Sequence, residues 1–326
     1  MAEMTLIDAI TQALHYEMNV DPAITIFGED VAHNGGVFRA TLGLHEKFGD
    51  KRIFDSPLAE NMIAGLAVGM STQGLKPVVE FQFLGFIYAA LDQIISHASR
   101  LRHRTQGRLS CPLVIRAPYG AGIHAPEHHS ESTEAIFAHI PGLRVVIPST
   151  PLKAYGLLLA AMRDPDPVIF LEPARLYRLF KQEVPDDGLA LELDKCFVIR
   201  EGTDVTLVSW GASLHDALKA ADLLLKEGIH CEVIDVATIK PLDMNTIIES
   251  VAKTGRCVIV HEAARTCGVG AEIAAGLAEE ALTLLKAPIK RVTGYDTIVP
   301  LYRLEEKYIP SIERIIKALR AVMEFS

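Results

Sequence analysis

Short apolar strands alternate with helical segments along almost the whole chain, and this alternation is what most limits its fold. The apolar runs have the length of strands and are separated by stretches with helical spacing of apolar residues. Examples are PVVEFQF (77–83), CPLVIRAP (111–118) and DVTLVSWG (204–211). Strands that alternate with helices are typical of parallel sheets covered on both faces. The sequence therefore predicts an α/β protein.

The alternation is interrupted once, at the polar, proline-containing stretch KQEVPDDGLALELD (181–194), and then restarts. A chain of 326 residues is long enough for two domains of ordinary size. We therefore expect two parallel-sheet domains, residues 1–185 and 195–326. In the first, a helix is predicted to begin at Glu60, and one long helix is predicted from about Ile87 to Thr105.

Composition excludes several classes of protein. The net charge of −9 argues against a nucleic-acid-binding protein, which needs a basic face. The five cysteines never form C-x-x-C, which argues against a disulfide framework and a structural zinc site. The N-terminus lacks the basic and apolar regions of a signal peptide, and the apolar run at 62–70 is too short to cross a membrane. We expect a soluble cytoplasmic protein.

Glu60 is followed by residues that are nearly all small or apolar through the next two turns of its predicted helix. An acid beside so much closely packable surface is a candidate for a buried carboxyl group with a raised pKa, a frequent feature of active sites. An acid favoured by the N-terminal end of the helix dipole has the same local pattern. Both interpretations remain open at this point.

Chemically useful residues follow several predicted strands of the first domain. Ligands of open parallel sheets bind at the carboxyl ends of the strands. The loops GED (28–30), EFQFLGF (80–86) and 119–132 bring acids, aromatic residues and histidines to that edge. This concentration predicts an enzyme site in the first domain.

The loop HAPEHHSES (124–132) is the most histidine-rich segment of the chain. His124 and His128 have a spacing found among metal ligands, but Pro126 prevents a helix between them and no cysteine is near. A histidine in a strand-end loop is also suited to proton transfer near neutral pH. Catalysis, metal binding and an ordinary surface loop are the three interpretations, of which catalysis is favoured.

Other motifs are absent or incomplete. Gly268-Val-Gly270 and Gly120-Ala-Gly122 lack the third glycine of a dinucleotide-binding fingerprint, and no phosphate-binding P-loop sequence occurs. No G-x-S-x-G elbow marks a hydrolase. Asp164 and Asp166 beside proline read as turn residues, although a cation held mainly by backbone oxygens could use the same turn.

Long motifs in one order cover essentially the whole chain: FGEDV (27–31), GGVFRAT (35–41), FDSPLAE (54–60), EFQFLGF (80–86), FAHIPGLRVVIPSTP (137–151), DPDPVIFLEP (164–173), EGTDVTLVSWG (201–211), KTGRCVIVHEA (253–263) and GYDTIVP (294–300). In these motifs the chain resembles the β subunit of the thiamine-diphosphate-dependent E1 component of 2-oxoacid dehydrogenase complexes. The resemblance implies a transketolase-like pyrimidine-binding domain followed by a transketolase C-terminal domain.

The resemblance also implies roles for individual residues. Glu60 corresponds to the acid that hydrogen-bonds the aminopyrimidine ring of the cofactor, and Glu29, Gln82 and Phe86 correspond to further lining of that pocket. His129, rather than His128, corresponds to the histidine that assists transfer to the lipoyl group. A turn that binds potassium in such subunits, largely through main-chain oxygens, corresponds to Leu113, Val114, Ala161, Asp164 and Asp166.

The chain has no GDG motif of the kind that holds the diphosphate and its Mg²⁺ in thiamine enzymes; its only Gly-Asp pair, Gly49-Asp50, continues with Lys51. The resemblance therefore implies that an α subunit supplies the diphosphate and Mg²⁺ half of the site in an α2β2 assembly. The implied activity is oxidative decarboxylation of a 2-oxoacid and acyl transfer to the lipoyl group of the E2 partner. No nucleic acid or membrane partner is expected.

Several functional alternatives stay open. GGVFRAT and HAPEHH are closest to β subunits of the pyruvate type, so pyruvate is the leading substrate. A branched-chain 2-oxoacid dehydrogenase or an acetoin dehydrogenase is the enzymatic alternative. A structural or E2-docking subunit without a productive site is the non-enzymatic alternative, against which the presence of both Glu60 and His129 argues.

Overall fold

A computed structural model describes residues 2–325 of the chain as two compact units. The first unit contains residues up to Tyr119 together with Ile136–Leu193, and the second contains Gly120–Ala135 and the chain from Asp194 onward. The histidine-rich loop, which the sequence placed inside the domain 1–185, thus groups with the second unit by its contacts.

The first unit is built on a parallel sheet. Six of its strands hydrogen-bond side by side in the order β6-β7-β5-β4-β2-β3, each pair parallel. A separate antiparallel pair joins β1 to β8, which lies in the polar stretch 181–194 that interrupts the alternation. The strands are β1 (Ala2–Met4), β2 (Ile24–Gly28), β3 (Ile53–Asp55), β4 (Lys76–Glu80), β5 (Val114–Tyr119), β6 (Arg144–Val146), β7 (Val168–Pro173) and β8 (Gln182–Val184).

The helices of the first unit are α1 (Leu6–Val20), α2 (Leu44–Phe48), α3 (Glu60–Thr72), α4 (Leu101–Arg104) and α6 (Pro151–Arg163), and α5 (Glu134–Ala138) lies where the chain passes between the units. Thr5 begins α1 through a reciprocal cap, because its hydroxyl accepts a bond from the Asp8 N–H while the Asp8 carboxylate accepts one from the Thr5 N–H. Apolar residues at helical spacing bury one face of α1.

The prediction of one long α-helix from Ile87 to Thr105 is wrong. The segment consists of 3₁₀ turns (Leu84–Ala90 and Ala98–Arg100), a π turn (Gln93–His97) and the short α4. Side chains take backbone oxygens here: the Ser99 hydroxyl donates to the Ile95 carbonyl at 2.8 Å, and Arg104 donates to the Ser96 carbonyl at 2.7 Å. Such bonds compete with the regular helical ladder.

The second unit has a five-stranded sheet in the order β14-β13-β10-β11-β9, parallel except for the antiparallel edge strand β9. Apolar residues of α7 and α11 pack against this sheet to form the core of the unit. The elements are β9 (Phe197–Arg200), β10 (Val205–Ser209), α7 (Ser213–Leu225), β11 (Cys231–Asp235), β12 (Thr238–Lys240), α8 (Met244–Thr254), β13 (Cys257–Val260), α9 (Val269–Glu280), β14 (Lys290–Val292), α10 (Tyr302–Tyr308) and α11 (Ile312–Met323).

The predicted α/β class with two mainly parallel sheets is confirmed. Across residues 2–325, every helix is too short or too polar to span a lipid bilayer.

Candidate active site

The carboxyl ends of β2, β3 and β4 meet at one edge of the first sheet. Gly28, the last residue of β2, lies opposite Asp55 on β3 and Glu80 on β4. Glu29 follows directly after β2, and Glu60 begins α3 shortly after β3. The two acids that the sequence singled out are thus brought to the same edge, since parallel strands end together.

Glu29 is the more deeply buried of these two acids. Its side chain is 7% exposed, and burial raises its pKa, with further increases from the nearby charges of Glu60 and Asp30. One of its carboxyl oxygens, Oε1, is buried without a hydrogen-bond partner among residues 2–325. A buried, unpaired carboxyl oxygen beside a second acid favours a bound proton or a hydrogen-bond donor between them.

Glu60 itself is only half-buried, so the interpretation of Glu60 as an acid enclosed by its own helix needs correction. One face of α3 packs inward through Ile63 and Ala67, but Leu58 is 79% exposed and Met62 is 40% exposed. Glu60 is the first residue of α3, where no preceding turn can cover it.

Gln82 and Phe86 follow β4 at the same sheet edge and are both half-buried. Phe86 meets Phe83 edge-on with ring centroids 5.7 Å apart, and its N–H bonds the Phe83 carbonyl at 3.0 Å. This turn gives an aromatic wall beside a polar amide, in keeping with the predicted lining of a ring-binding pocket.

A buried charge network lies in the sheet just behind that turn, and sequence reasoning missed it. Arg116 on β5 donates to both oxygens of Glu172 on β7, at 2.7 and 3.1 Å, and to Glu80 at 3.0 Å. The Tyr177 hydroxyl donates to Glu172 at 2.6 Å. Burial raises the pKa of Glu80, while Arg116 opposes that rise. Charged residues inside buried strands are the signal that could have found this network.

The network also explains one glycine of GGVFRAT. Gly36 has φ +77°, and a Cβ there would run into the carboxylate of Glu80. Glycine is thus needed both for the left-handed backbone and for the close approach to the buried acid. The end of strand β4, two residues before Gln82, is therefore held between a glycine loop and a buried arginine.

The histidine-rich loop belongs to the second unit, where it forms a short 3₁₀ turn from Glu127 to His129. The structure separates its two adjacent histidines, because His128 is exposed whereas His129 is half-buried. The His129 N–H bonds the Pro126 carbonyl at 2.9 Å. Of the two, His129 is thus the more shielded from water.

Glu134, just after this loop, is a fully buried acid that sequence reasoning did not single out. The Trp210 indole N–H donates to its Oε1 at 3.3 Å, and its Oε2 has no hydrogen-bond partner within residues 2–325. Burial raises the pKa of Glu134 to about 8, with a further contribution from Glu262. Trp210 stacks on His261, whose pKa burial lowers to about 3. The short apolar run after Glu134 is the same local signal that drew attention to Glu60.

The residues predicted to bind potassium lie just before and at the start of β5 (Leu113 and Val114), near the end of α6 (Ala161) and in the turn between α6 and β7 (Asp164 and Asp166). Both carboxylates of this turn are paired with arginines: Asp164 with Arg144 at 2.8 Å and Asp166 with Arg102 at 2.7 Å. The carbonyl oxygens of Leu113 and Ala161 each accept one backbone bond and keep a second lone pair. A cation at this turn would therefore depend on backbone oxygens, as the sequence interpretation required.

No group of three or more His, Cys, Asp or Glu side chains is arranged to hold a metal ion among residues 2–325. The residues of the first unit fit the ring of a pyrimidine cofactor, since an acid pair with an unpaired buried oxygen stands beside an aromatic wall. Nothing in the sequence supplies the diphosphate-binding motif.

Comparisons with known proteins assign both parts of the chain to known domain families. Residues 2–179 match the transketolase pyrimidine-binding domain family, and residues 194–315 match the transketolase C-terminal domain family. The pyruvate dehydrogenase E1 component subunit beta of Bacillus subtilis (strain 168) is 48% identical over 325 residues, with 100% of each chain covered. The subunits of the same name from Staphylococcus epidermidis (strain ATCC 12228) and Staphylococcus aureus (strain N315) are 47% and 46% identical over the same full lengths.

Among solved structures, a chain described as "Split gene transketolase, inactive beta4 tetramer" aligns with a TM-score of 0.82 at 24% identity, covering 99% of both chains. That likeness supports the fold alone. Relatives almost half identical in sequence match along their full length, so this chain belongs to the family of pyruvate dehydrogenase E1 component beta subunits, with transketolase-type pyrimidine-binding and C-terminal domains.

Proposed function

We propose that this chain is the β subunit of a pyruvate dehydrogenase E1 component, which oxidatively decarboxylates pyruvate and transfers the acetyl group to the lipoyl group of an E2 partner. The names of its full-length relatives support the activity and the substrate. The observation that carries the proposal at the level of residues is the acid pair Glu29 and Glu60 at the edge of the first sheet, with an unpaired buried oxygen on Glu29.

Thiamine diphosphate, when bound, supplies the chemistry that stabilises the negative charge formed as CO₂ leaves the 2-oxoacid. Glu60 binds the pyrimidine ring through a shared proton, and Glu29 lies at the same edge of the sheet. Phe86 and Gln82 hold the ring in place. Each of these roles belongs to a residue of the first unit.

The half-exposed state of Glu60 supports the need for an α subunit. A carboxyl group open to water exchanges its proton with solvent, so a cofactor ring would compete poorly for it. The apolar side chains of Leu58, Met62 and Leu66, before and along the same helix, are exposed and are suited to be covered by another polypeptide. We place the diphosphate and Mg²⁺ on that α subunit in an α2β2 assembly.

His129 is proposed to supply or hold a proton during acyl transfer to the lipoyl group. Its half-buried position limits exchange with bulk water, whereas His128 is exposed. Binding of potassium at the turn formed by Leu113, Val114, Ala161, Asp164 and Asp166 is proposed as a stabilising feature of the first unit. It acts through backbone oxygens, because both aspartates are paired with arginines.

The test is the variant Glu60→Gln, assembled with its α subunit and assayed for pyruvate decarboxylation with an artificial electron acceptor. We expect a loss of about 10²–10⁴-fold, typical of the removal of an acid–base group. Glu46→Gln is the matched control, because Glu46 is an exposed first-turn acid of α2 in the same unit. Turnover of Glu60→Gln close to that of Glu46→Gln would refute the role.

The substrate is tested separately, by comparing kcat/KM of the assembled enzyme for pyruvate, 3-methyl-2-oxobutanoate and acetoin. We expect pyruvate to be preferred. A higher kcat/KM for either of the other two would transfer the assignment to the corresponding dehydrogenase.

A further inference from the structure

The loop 119–132, which carries His129, is fixed by contacts within the second unit. The first of these contacts is apolar. Ala121, at the start of the loop, is 1% exposed. It packs in a small cluster with Val299, Tyr308 and Ile309, which come from α10 and the segments around it. The beginning of the loop thus packs against α10 and its neighbouring residues.

A single buried acid of α10 holds the next part of the loop. Glu305 is 1% exposed, and its Oε1 accepts a hydrogen bond from the Gly122 N–H at 2.7 Å. Its Oε2 accepts one from the His124 N–H at 3.1 Å and lies 2.8 Å from Nδ1 of the His124 ring. Both oxygens therefore bind the loop, and a buried carboxylate is stable only when its charge is met in this way.

The backbone at His124 needs such an anchor. Its φ is 59°, in the left-handed region that residues other than glycine adopt at a cost. Glu305 binds the N–H and the side chain of this same residue. The carboxylate therefore offsets the unfavourable backbone conformation at the position where the loop changes direction.

The far end of the loop is held by a second acid. The Ser132 hydroxyl donates to Glu262 at 2.9 Å. The same carboxylate also lies against the start of the loop, since a Cβ at Gly120 would collide with it. His129 therefore lies between two anchored points, at His124 and at Ser132. Its position is set by residues of the second unit that are far away in sequence.

We propose that Glu305 is a positioning residue that fixes the histidine loop and thereby sets the place of His129 for acyl transfer. The proposal rests on the proposed function for the role of His129, but the anchoring itself does not. Glu305 touches no reacting atom, and it acts only through the backbone of Gly122 and the backbone and ring of His124.

The test uses Glu305→Gln and Glu305→Asp in the enzyme assembled with its α subunit. Glutamine has the shape of glutamate but offers one acceptor oxygen instead of two, whereas aspartate keeps both oxygens on a shorter side chain. Glu306→Gln is the matched control, because Glu306 is exposed on the same helix. Amide hydrogen exchange of residues 121–131 reports the anchoring without any assay of activity.

We expect Glu305→Gln to speed exchange in this loop by about tenfold or more, the scale of a lost hydrogen bond to a charged group. The kcat for acyl transfer to a free lipoyl domain should also fall about tenfold, while the KM for that domain stays nearly unchanged. Decarboxylation measured with an artificial acceptor should be less affected than this transfer. Glu305→Asp should restore part of both properties, and Glu306→Gln should change neither.

Unchanged amide exchange in Glu305→Gln would overturn the proposal. Faster exchange with equal losses in transfer and decarboxylation would also overturn it, because the loop would then not act through His129. The role of His129 is checked independently with His129→Ala. If that variant keeps normal transfer while Glu305→Gln exchanges faster, the proposed function of His129 fails and the anchoring of the loop is supported.

Discussion

Replacing Glu134 by glutamine is expected to change how the stability of the protein depends on pH. Glu134 is fully buried, and its pKa is raised to about 8 in the folded chain from an ordinary value of 4.5. Between these two values the folded state holds a proton that the unfolded state has released. Protonation therefore stabilises the fold at low pH, and this contribution is lost as the pH rises from 4.5 through 8.

The magnitude follows from the size of the shift. Each pKa unit corresponds to about 1.4 kcal/mol, so the contribution of Glu134 to the free energy of unfolding falls by about 2 kcal/mol between pH 6 and pH 8. Glutamine keeps an oxygen to accept the Trp210 N–H and does not titrate. The Glu134→Gln variant should therefore lose about 2 kcal/mol less stability than the unaltered chain over this range.

The assay is urea unfolding at pH 6, 7 and 8, followed by the emission of Trp210. This residue is the sole tryptophan of the chain and contacts Glu134 directly. His261 and the other titrating groups are present in both proteins, so their contributions cancel in the difference. Glu127→Gln, an exposed acid of the preceding loop, is the control. Parallel pH profiles for the unaltered chain and Glu134→Gln would refute the reasoning.

Three further predictions concern other parts of the chain. His129→Ala, assembled with its α subunit, should lower acetyl transfer to E2 more than decarboxylation with an artificial acceptor; equal losses would reject its role in transfer. Arg116→Leu should lower the free energy of unfolding by about 3–5 kcal/mol in urea titrations, because it leaves Glu80 and Glu172 buried without their cation. Potassium chloride, at about ten times the dissociation constant of the ion, should raise the Tm of the protein by about 2–4 °C relative to the same concentration of choline chloride. An equal Tm in the two salts would argue against the potassium site.

The sequence predicted the fold well wherever the signal is local. Apolar runs located most strands, and the helix predicted to begin at Glu60 is α3. The prediction was wrong for residues 87–105, where side-chain bonds to carbonyl oxygens interrupt the helix. The antiparallel strand β9 was not foreseen either, although three of its four residues are apolar.

The candidate site was predicted less completely than the fold, because its contacts join residues that are distant in sequence. Motif and position identified Glu29 and Glu60, but the burial of each depends on residues distant in sequence, and Glu29 proved the more buried. The bond from the His124 N–H to Glu305 spans 181 residues of chain. That anchor leaves no local pattern in the sequence. Charged residues inside buried strands show that Arg116 and Glu172 need partners, but they do not show which residues pair.

Thiamine diphosphate binding, measured by isothermal titration calorimetry, tests the central claim most directly. The cofactor should bind the mixture of this chain with its α subunit, and Glu60→Gln in the mixture should weaken that binding. The chain alone should bind it far more weakly, since it lacks the diphosphate half of the site. Equal affinity for the isolated chain and for the mixture, or full affinity of the Glu60→Gln mixture, would contradict the account.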